Sequence, residues 1–599
     1  MRLALLKEIP EDEGLRLQWN RLLEHTDHPQ VFYTYEWALA VQRAYRMSLH
    51  PLLFLAYDSQ ALLTGVVALA TNLPRDTASF LCATTGDYCD FISSPAVRSA
   101  FVAEVLSQLK TENIRSLTLT NLPADSATLA AIRQSAPHYG YHLFVRRAYV
   151  CAQMSMESLN RRNAEEPNIR NNGLFRKNPG LPRKKMVRRS LTAMGREGPV
   201  RLDHVRSYDA ARRVLPQFMQ AHVARFLVTG RISNLAREGR RIFLTELAEL
   251  LSTVGWLCVT RMMTGDRTVA WNFGFQSHGT WFWYQPTFDS ELEKYSPGFC
   301  LLTKIIEEAS ENPEFRIVDL GLGVEEYKDR VANQSRETLY VTMRTSTIAH
   351  AAEIVRHFAA RLAKASPRAE KVIRSYAERA KALRRRMKEI GTLKTLGWAC
   401  HRVGTSILAR NEVFFYELIT EQRLSEAGGL SLTPIDLNLL AGAAMQYEND
   451  EGTLAYLLRS AKRLRTKDHF GFALLNTCGE PVHFTWVSPF SGFHVAELNS
   501  TVPTPSEDSV ILFDSWTPVT LRARRYYALT VGLVAAKMQR QGKRAWIFSA
   551  ATNTSSVRGL EKMGFQRRFS IIRYKLLWWQ QLRQENTMRE TGAEMRAAS

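Results

Sequence analysis

The chain carries Tyr295-Ser296-Pro297-Gly298 and then Val318-Asp319-Leu320-Gly321-Leu322-Gly323, running on as Val324-Glu325-Glu326-Tyr327-Lys328, and the order of strand and helix is plainest around these residues. Segments with strand-like alternation precede it at Trp256–Met263, Val269–Gln276 and Thr280–Gln285, and lead to Phe288-Asp289. Ser296 has the chemistry of an N-cap and Pro297 suits a first helical position, so a helix is expected over Gly298–Ser310, followed by a strand at Arg316–Leu320. Gly298 carries no side chain to block approach, so free amides at this helix start could face an anion such as a pyrophosphate. An ordinary helix start explains the same residues. The carboxylates on or after the last strand are Asp319, Glu325 and Glu326, with Tyr327 and Lys328 as the nearest donors.

Working outward, helices at Tyr208–Phe226 and Arg240–Thr253 complete an α/β unit over about 200–345. Residues 1–150 read as another, with helices at Gln18–Glu24, Tyr35–Arg43 and Ala100–Glu112. Its strands are a hairpin, Leu52–Tyr57 with Ala61–Ala70, and Ser116–Thr120. Asn160 to Pro182 reads as a loop excursion that runs into the basic cluster at 183–189. Residues 349–410 form a basic helical linker, densest at Lys381–Lys388. A third α/β unit covers 411–579, with a strand at Val510–Asp514, a helix at Arg522–Arg540, a strand at Arg544–Ser549 and a final strand at Phe569–Leu577. Residues 580–599 read as a flexible tail.

A chain of 599 residues exceeds a single core, and 45% hydrophobic with 23% charged residues excludes a disordered chain. Net charge +21 favours an anionic partner: a nucleotide-bearing cofactor, nucleic acid or an anionic membrane surface. Seven dispersed cysteines without a C-x-x-C pair exclude a zinc-ribbon pattern and point to a reducing compartment and buried thiols. The start, acidic after six residues, lacks a signal-peptide core, and no apolar run reaches membrane length, so a cytoplasmic protein, at most peripheral to the inner membrane, is expected. The aromatic run Trp271, Phe273, Phe275, Trp281, Phe282, Trp283 and Tyr284 reads chiefly as cross-strand core. His469, His483 and His494 lack metal-like spacing and read as structural.

Residues 1–345 resemble the CelD/BcsL-like group of acyltransferases, related to the FemAB and GNAT families. The resemblance rests on Val269-Ala270, Phe288-Asp289, Ser296-Pro297-Gly298, Asp319-Leu320-Gly321-Leu322-Gly323 with Tyr327-Lys328, and on His28-Pro29, Phe32 and Glu36-Trp37 near the start. It implies two GNAT-like lobes, 1–150 and 151–348, the second carrying the acyl-donor site. Ser296 and Gly298 would then bind the donor. Asp319 or Glu325 would act as base or orient the acceptor, and Tyr327 and Lys328 would bind anionic or carbonyl oxygens. Asp319 as a turn cap and Glu325–Lys328 as a solvated helix start are the bland alternatives.

The segment Asn553–Phe565 resembles the C-terminal half of a GNAT acetyltransferase, which makes the fold class tandem GNAT-like acyl-CoA N-acyltransferase α/β domains with mixed central sheets flanked by helices. The resemblance implies coenzyme A contacts from Arg522, Arg524, Arg525 and Asn553. Two departures stand out. Ala523 and Arg525 occupy the glycine positions of the phosphate loop, and Leu560 stands where a tyrosine general acid is usual.

The function implied is transfer of an acyl group, acetyl or another, from acyl-CoA to an amine or hydroxyl of a cell-envelope or exopolysaccharide-related acceptor: a sugar, a lipid-linked intermediate or a peptide. No metal is called for. Two alternatives are a FemAB-type enzyme using aminoacyl-tRNA, for which the basic segments 161–196 and 356–394 would suit tRNA phosphates, and a non-catalytic scaffold of a polysaccharide synthesis complex.

Overall fold

Alternating residues of Thr280–Phe288 and Ile317–Leu322 are buried on both faces, the pattern of strands at the centre of a sheet rather than at its edge. The helix between them, Pro297–Glu311, buries Leu301, Leu302, Ile305, Ile306 and Ala309, and so returns the chain parallel to where it began. The computed structural model describes residues 1–26, 28–71, 76–157, 184–323, 325–364, 408–419, 429–466, 468–576 and 579–586. The Asn160–Pro182 excursion, the basic linker over 365–407 with Lys381–Lys388, and the tail over 587–599 lie outside the described residues. The chain divides into two units, Met1–Arg225 with Arg237–Leu362, and Phe226–Ala236 with Ala363–Ser599.

The first unit holds β1 (Arg2–Leu6), β2 (His50–Tyr57), β3 (Leu63–Thr71), β4 (Thr77–Phe80), β5 (Ile92–Ser93), β6 (Ser116–Pro123) and β7 (His142–Ser155). It continues with β8 (Val200–Val205), β9 (Leu257–Thr264), β10 (Arg267–Ser277), β11 (Thr280–Phe288), β12 (Ile317–Leu322) and β13 (Gln334–Arg344). These make one 13-stranded sheet in the order β1-β2-β3-β4-β6-β13-β7-β12-β11-β10-β9-β8, with β5 on β3. All pairs are antiparallel except β4 with β6 and β11 with β12. Its helices are α1 (Glu13–Glu24), α2 (Tyr35–Tyr45), α3 (Arg98–Thr111), α4 (Thr128–Ser135), α5 (Lys184–Met194), α6 (Tyr208–Val228), α7 (Glu238–Thr253), α8 (Pro297–Glu311), α9 (Glu326–Asp329) and α10 (Thr347–Lys364).

The expected split into lobes at residue 150 does not describe this sheet. Strand β7 runs through the boundary, and β13, from the far end of the second half, inserts between β6 and β7. The halves keep separate cores: Phe54, Phe101, Val105 and Leu119 in one, Met262, Trp281, Leu302 and Val318 in the other. Val341 and Met343 of β13 lie in the first core. The element that closes the N-terminal half is therefore made last.

The second unit holds β14 (Leu408–Leu418), β15 (Ser431–Pro434), β16 (Phe470–Leu475), β17 (Pro481–Pro489), β18 (Phe493–Val495), β19 (Ser500–Val502), β20 (Ser509–Trp516), β21 (Arg544–Ala550), β22 (Phe565–Leu576) and β23 (Trp579–Asn586). Its sheet order is β15-β16-β17-β20-β21-β14-β22-β23, with β18 and β19 as a separate hairpin. Helices α11 (Leu437–Gln446), α12 (Glu451–Arg463), α13 (Tyr526–Arg540) and α14 (Thr554–Lys562) complete it. The expected frayed tail begins later than residue 580, because β23 pairs along β22 as an edge strand. Helix α13 begins at Tyr526, four residues after the expected start, because Arg522–Arg525 form a turn instead. Cys478 is exposed in the β16–β17 turn, whereas Cys89, Cys151, Cys258 and Cys300 are buried as expected.

Because β13 is a central strand, a chain ending at Asn333 should fail to give a folded first unit, while one ending at Lys364 should fold. Circular dichroism and size-exclusion chromatography distinguish the two outcomes.

Candidate active site

Each half of the large sheet contains one parallel pair, and each pair is short. Only Thr280–Phe282 of β11 register with Ile317–Asp319 of β12; β4 and β6 share three pairs likewise. Beyond them the strands part, leaving a fork. In the N-terminal half the chain itself closes the fork. The segment after β4 lies on β6, where the Asn121 side chain donates to the Gly86 carbonyl (2.9 Å) and the Cys89 amide to the Asn121 carbonyl (3.0 Å).

That segment also carries Asp87 and Tyr88 to the second fork. Tyr88 is fully buried and donates to the Asp319 carboxylate at 2.9 Å. Asp87 reaches Gly321, where an added Cβ would stand 2.7 Å from its Oδ2. Gly321 adopts φ +71 at a break in the β12–β7 register, so glycine is required there for both backbone and space. The Phe32 and Trp37 elements named from sequence hold this segment in place. Trp37 Nε1 donates to Thr85 Oγ1 (3.1 Å), the Phe32 ring meets Trp37 at 4.7 Å and Tyr88 at 5.9 Å, and Tyr284 donates to the Thr85 carbonyl.

Asp87 is surrounded by protein yet keeps partial solvent access. Burial first, then the neighbouring Asp319 charge, pushes its pKa up to about 7, against the opposing pull of Lys328, Arg240 and the Leu322 amide. Nothing local marks it, for Asp87 lies in a Thr-Thr-Gly-Asp-Tyr turn far along the chain from the Asp319 motif.

Asp319 is 2% exposed and fully engaged. It accepts from Tyr88, from Gln153 Nε2 (2.7 Å) and, as the turn-cap alternative anticipated, from the Gly321 amide (2.8 Å). Burial raises its pKa despite these bonds. Lys328, 4% exposed, donates to the Leu322 carbonyl (2.8 Å) and pairs with Glu325 (2.7 Å), closing the turn after β12. Glu325 is the outer, largely exposed partner, and Glu326 pairs with Arg330 at 2.7 Å. The Tyr327 hydroxyl accepts from Trp283 Nε1 (3.2 Å), and burial raises its pKa. Arg240 Nη2 donates to the Tyr284 hydroxyl (2.6 Å) and to Gln285 Oε1 (3.3 Å). Buried His222, beside Gln285, has its pKa lowered to about 3 by burial and the Arg225 and Arg240 charges, and stays neutral.

Ser296 stands at the start of α8 but does not cap it. Its φ is +50 and its side chain makes no cap bond; its carbonyl instead accepts from Phe299 (3.0 Å) and Cys300 (3.1 Å). Gly298 is half-exposed, and a Cβ there would stand 3.0 Å from the Phe288 ring. In the second unit, Ala523 (φ +65) and Arg525 (φ +64) keep left-handed conformations although neither is glycine. Arg522 stacks over Trp516 at 5.3 Å, and Arg524 and Arg525 are exposed. Asn553 caps α14, accepting from the Ser556 amide at 3.2 Å. Leu560 is fully buried in the core against α13.

Gly321→Ala should destabilise the first unit by about 2 kcal/mol or more, combining left-handed strain with a collision. Gly140→Ala, also left-handed (φ +76) but with open space at Cβ, should cost less. Denaturant unfolding reads both.

No curated protein matches the sequence. Among solved structures, the C-terminal (DUF2156) domain of a putative lysylphosphatidylglycerol synthetase from Agrobacterium fabrum aligns at 9% identity over 57% of this chain and 94% of that one, TM-score 0.36. L-PGS from Bacillus licheniformis aligns at 11% over 59% and 98%, TM-score 0.37. FemX aligns at 8% over 57% and 97%, TM-score 0.38. Residues 182–329, which contain β11, α8, β12 and the turn closed by Lys328, match the family model described as acetyltransferase (GNAT) domain. Within a mixed α/β fold, residues 182–329 are thus similar to a GNAT acetyltransferase domain.

Proposed function

We propose that the first unit transfers an acyl group from acyl-CoA to an amine or hydroxyl acceptor at the β11–β12 fork, with Asp87 taking the acceptor's proton. The observation that carries this reading is a half-buried aspartate, its carboxyl pushed up to about 7, at the point where the parallel strands part. A base with that pKa is half ionised near neutrality, where proton transfer is most effective. The family resemblance supports acyl-CoA as donor and a cell-envelope or exopolysaccharide-related molecule as acceptor.

In this mechanism the acceptor nitrogen or oxygen attacks the thioester carbonyl and loses its proton to Asp87. The carbon–sulfur bond breaks, and the sulfur leaves as thiolate. Tyr327, whose oxygen accepts from Trp283, keeps its own proton free for that sulfur. Asp319 and Lys328 are positioning residues in this account. Asp319 fixes Tyr88 and hence Asp87, while Lys328 with Glu325 sets the turn that brings Gly321 and Leu322 to the carboxylate. The half-exposed start of α8, at Ser296 and Gly298, is our candidate for the donor's phosphates. In the second unit the left-handed turn at Ala523 and Arg525, with Arg522, Arg524 and Asn553, is the corresponding candidate.

Asp87→Asn should lower kcat/KM for acyl-CoA turnover by about 10²–10⁴-fold and remove the rise in rate through pH 7. The same substitution has a stability signature. Because the folded pKa lies above the unfolded one, Asp87 stabilises the fold fully below about pH 3.8, and that contribution is lost as pH rises through about 7. The variant should therefore show a flatter fall of Tm between pH 5 and pH 8. A variant with unchanged turnover and an unchanged pH profile contradicts the assignment.

A further inference from the structure

The second unit has its own fork, and this one is open. Strands β20 and β21 register only from Ser509–Leu512 with Arg544–Ile547, and Phe513 and Phe548 are the first residues past the last pair. Both project to the sheet face covered by the β18–β19 hairpin, opposite the face on which α13 packs. A cavity of about 790 Å³ opens there. Phe493 of the hairpin meets Phe513 at 5.0 Å and Phe548 at 6.0 Å, giving the cavity an apolar aromatic wall.

Its polar wall is centred on an ion pair between Arg463, at the end of α12, and Asp514 on β20, and Arg459, Asp468 and Glu497 add further charges of both signs to the lining. The Arg463 guanidinium is fixed between the rings of Trp486 (5.5 Å) and Phe513 (5.1 Å). Asp514 is fixed by its backbone, which turns left-handed (φ +44) and accepts from the Tyr456 hydroxyl at 3.1 Å. Beyond this pair, neither side chain has a further hydrogen-bond partner among the described residues. Each presents unused bonding capacity beside a charge of opposite sign.

An Arg–Asp pair selects its ligand by sign. A purely anionic ligand meets repulsion from Asp514, and a purely cationic one meets repulsion from Arg463. An uncharged one covers the pair without compensating the lost hydration. A zwitterion satisfies both, with its carboxylate on Arg463 and its ammonium on Asp514. Because the two side chains are in contact, the ligand's charges must also be close, as on one α-carbon and not across a peptide. The phenylalanine wall then calls for a large apolar side chain.

We propose that the second unit binds a free α-amino acid with a large apolar side chain in the cavity between Arg463–Asp514 and the phenylalanine wall. Neither the GNAT match nor the chemistry assigned to the first unit bears on this site.

The test is calorimetric titration of the full chain with phenylalanine, leucine and tryptophan, and with phenylalaninamide, N-acetylphenylalanine, glycylphenylalanine and glucosamine. At least one free amino acid should bind. For phenylalanine, removing either charge, or separating the charges in the dipeptide, should weaken binding tenfold or more. Arg463→Gln should abolish the preference for phenylalanine over its amide. Because Arg463 is partly buried and its replacement could disturb folding, Ala496→Trp provides the second variant. Ala496 is an exposed residue lining the cavity, and a tryptophan there should fill the space and remove binding without changing Tm. No heat from any of the three amino acids, equal affinity for phenylalanine and its blocked forms, binding of glucosamine in their place, or unchanged binding in a folded Ala496→Trp variant each overturns the proposal.

Discussion

Strands β11 and β12 stay paired for only three residues, and the arrangement of the first unit follows from what enters where they part. A parallel pair that separates leaves backbone groups and side chains facing a gap, and buried polar groups in a gap must find partners. Here the partners come from the adjoining strand β7 and from the other half of the sheet. Tyr88 and Gln153 converge on Asp319, while Asp87 is drawn to the Leu322 amide beside Gly321. The same contacts that fill the gap place one carboxylate next to another in a low-dielectric setting, which is why Asp87 is pushed toward neutrality. Packing and chemistry share one cause.

The interlocking of the halves serves this geometry. Asp87 can be held to a fraction of an ångström only if the segment bearing it is anchored on both sides, by Asn121 of β6 and by Trp37 and Tyr284 around Thr85. Strand β13, by pairing with β6 and β7 together, ties the N-terminal half to the strand that carries Gln153. A two-lobe chain joined by a flexible linker would give the fork no such precision.

Much of this was legible in the sequence, for identifiable reasons. The helix at Pro297 and the strands at Thr280 and Ile317 show clear periodicity and a proline at the right position, so their order follows from local chemistry. Asp319 was visible as the carboxylate on the last strand, but not its burial, because three of its donors and neighbours come from residues distant along the chain. Asp87 was hidden for the same reason: nothing local marks a turn aspartate that completes a site in the opposite half. The insertion of β13 was equally hidden, since alternation identifies a strand and not its partners. In the second unit, Ala523 and Arg525 stand where the resemblance leads one to expect glycines, and both adopt left-handed backbone.

The most direct test of the central claim is a crystal structure of the full chain with a non-transferable thioether analogue of acyl-CoA. The acyl carbonyl carbon should lie at the β11–β12 fork, with the Asp87 carboxylate within reach of an incoming nucleophile and the phosphates at the start of α8. An analogue seated elsewhere, with the fork empty and Asp87 remote from the carbonyl, would contradict it.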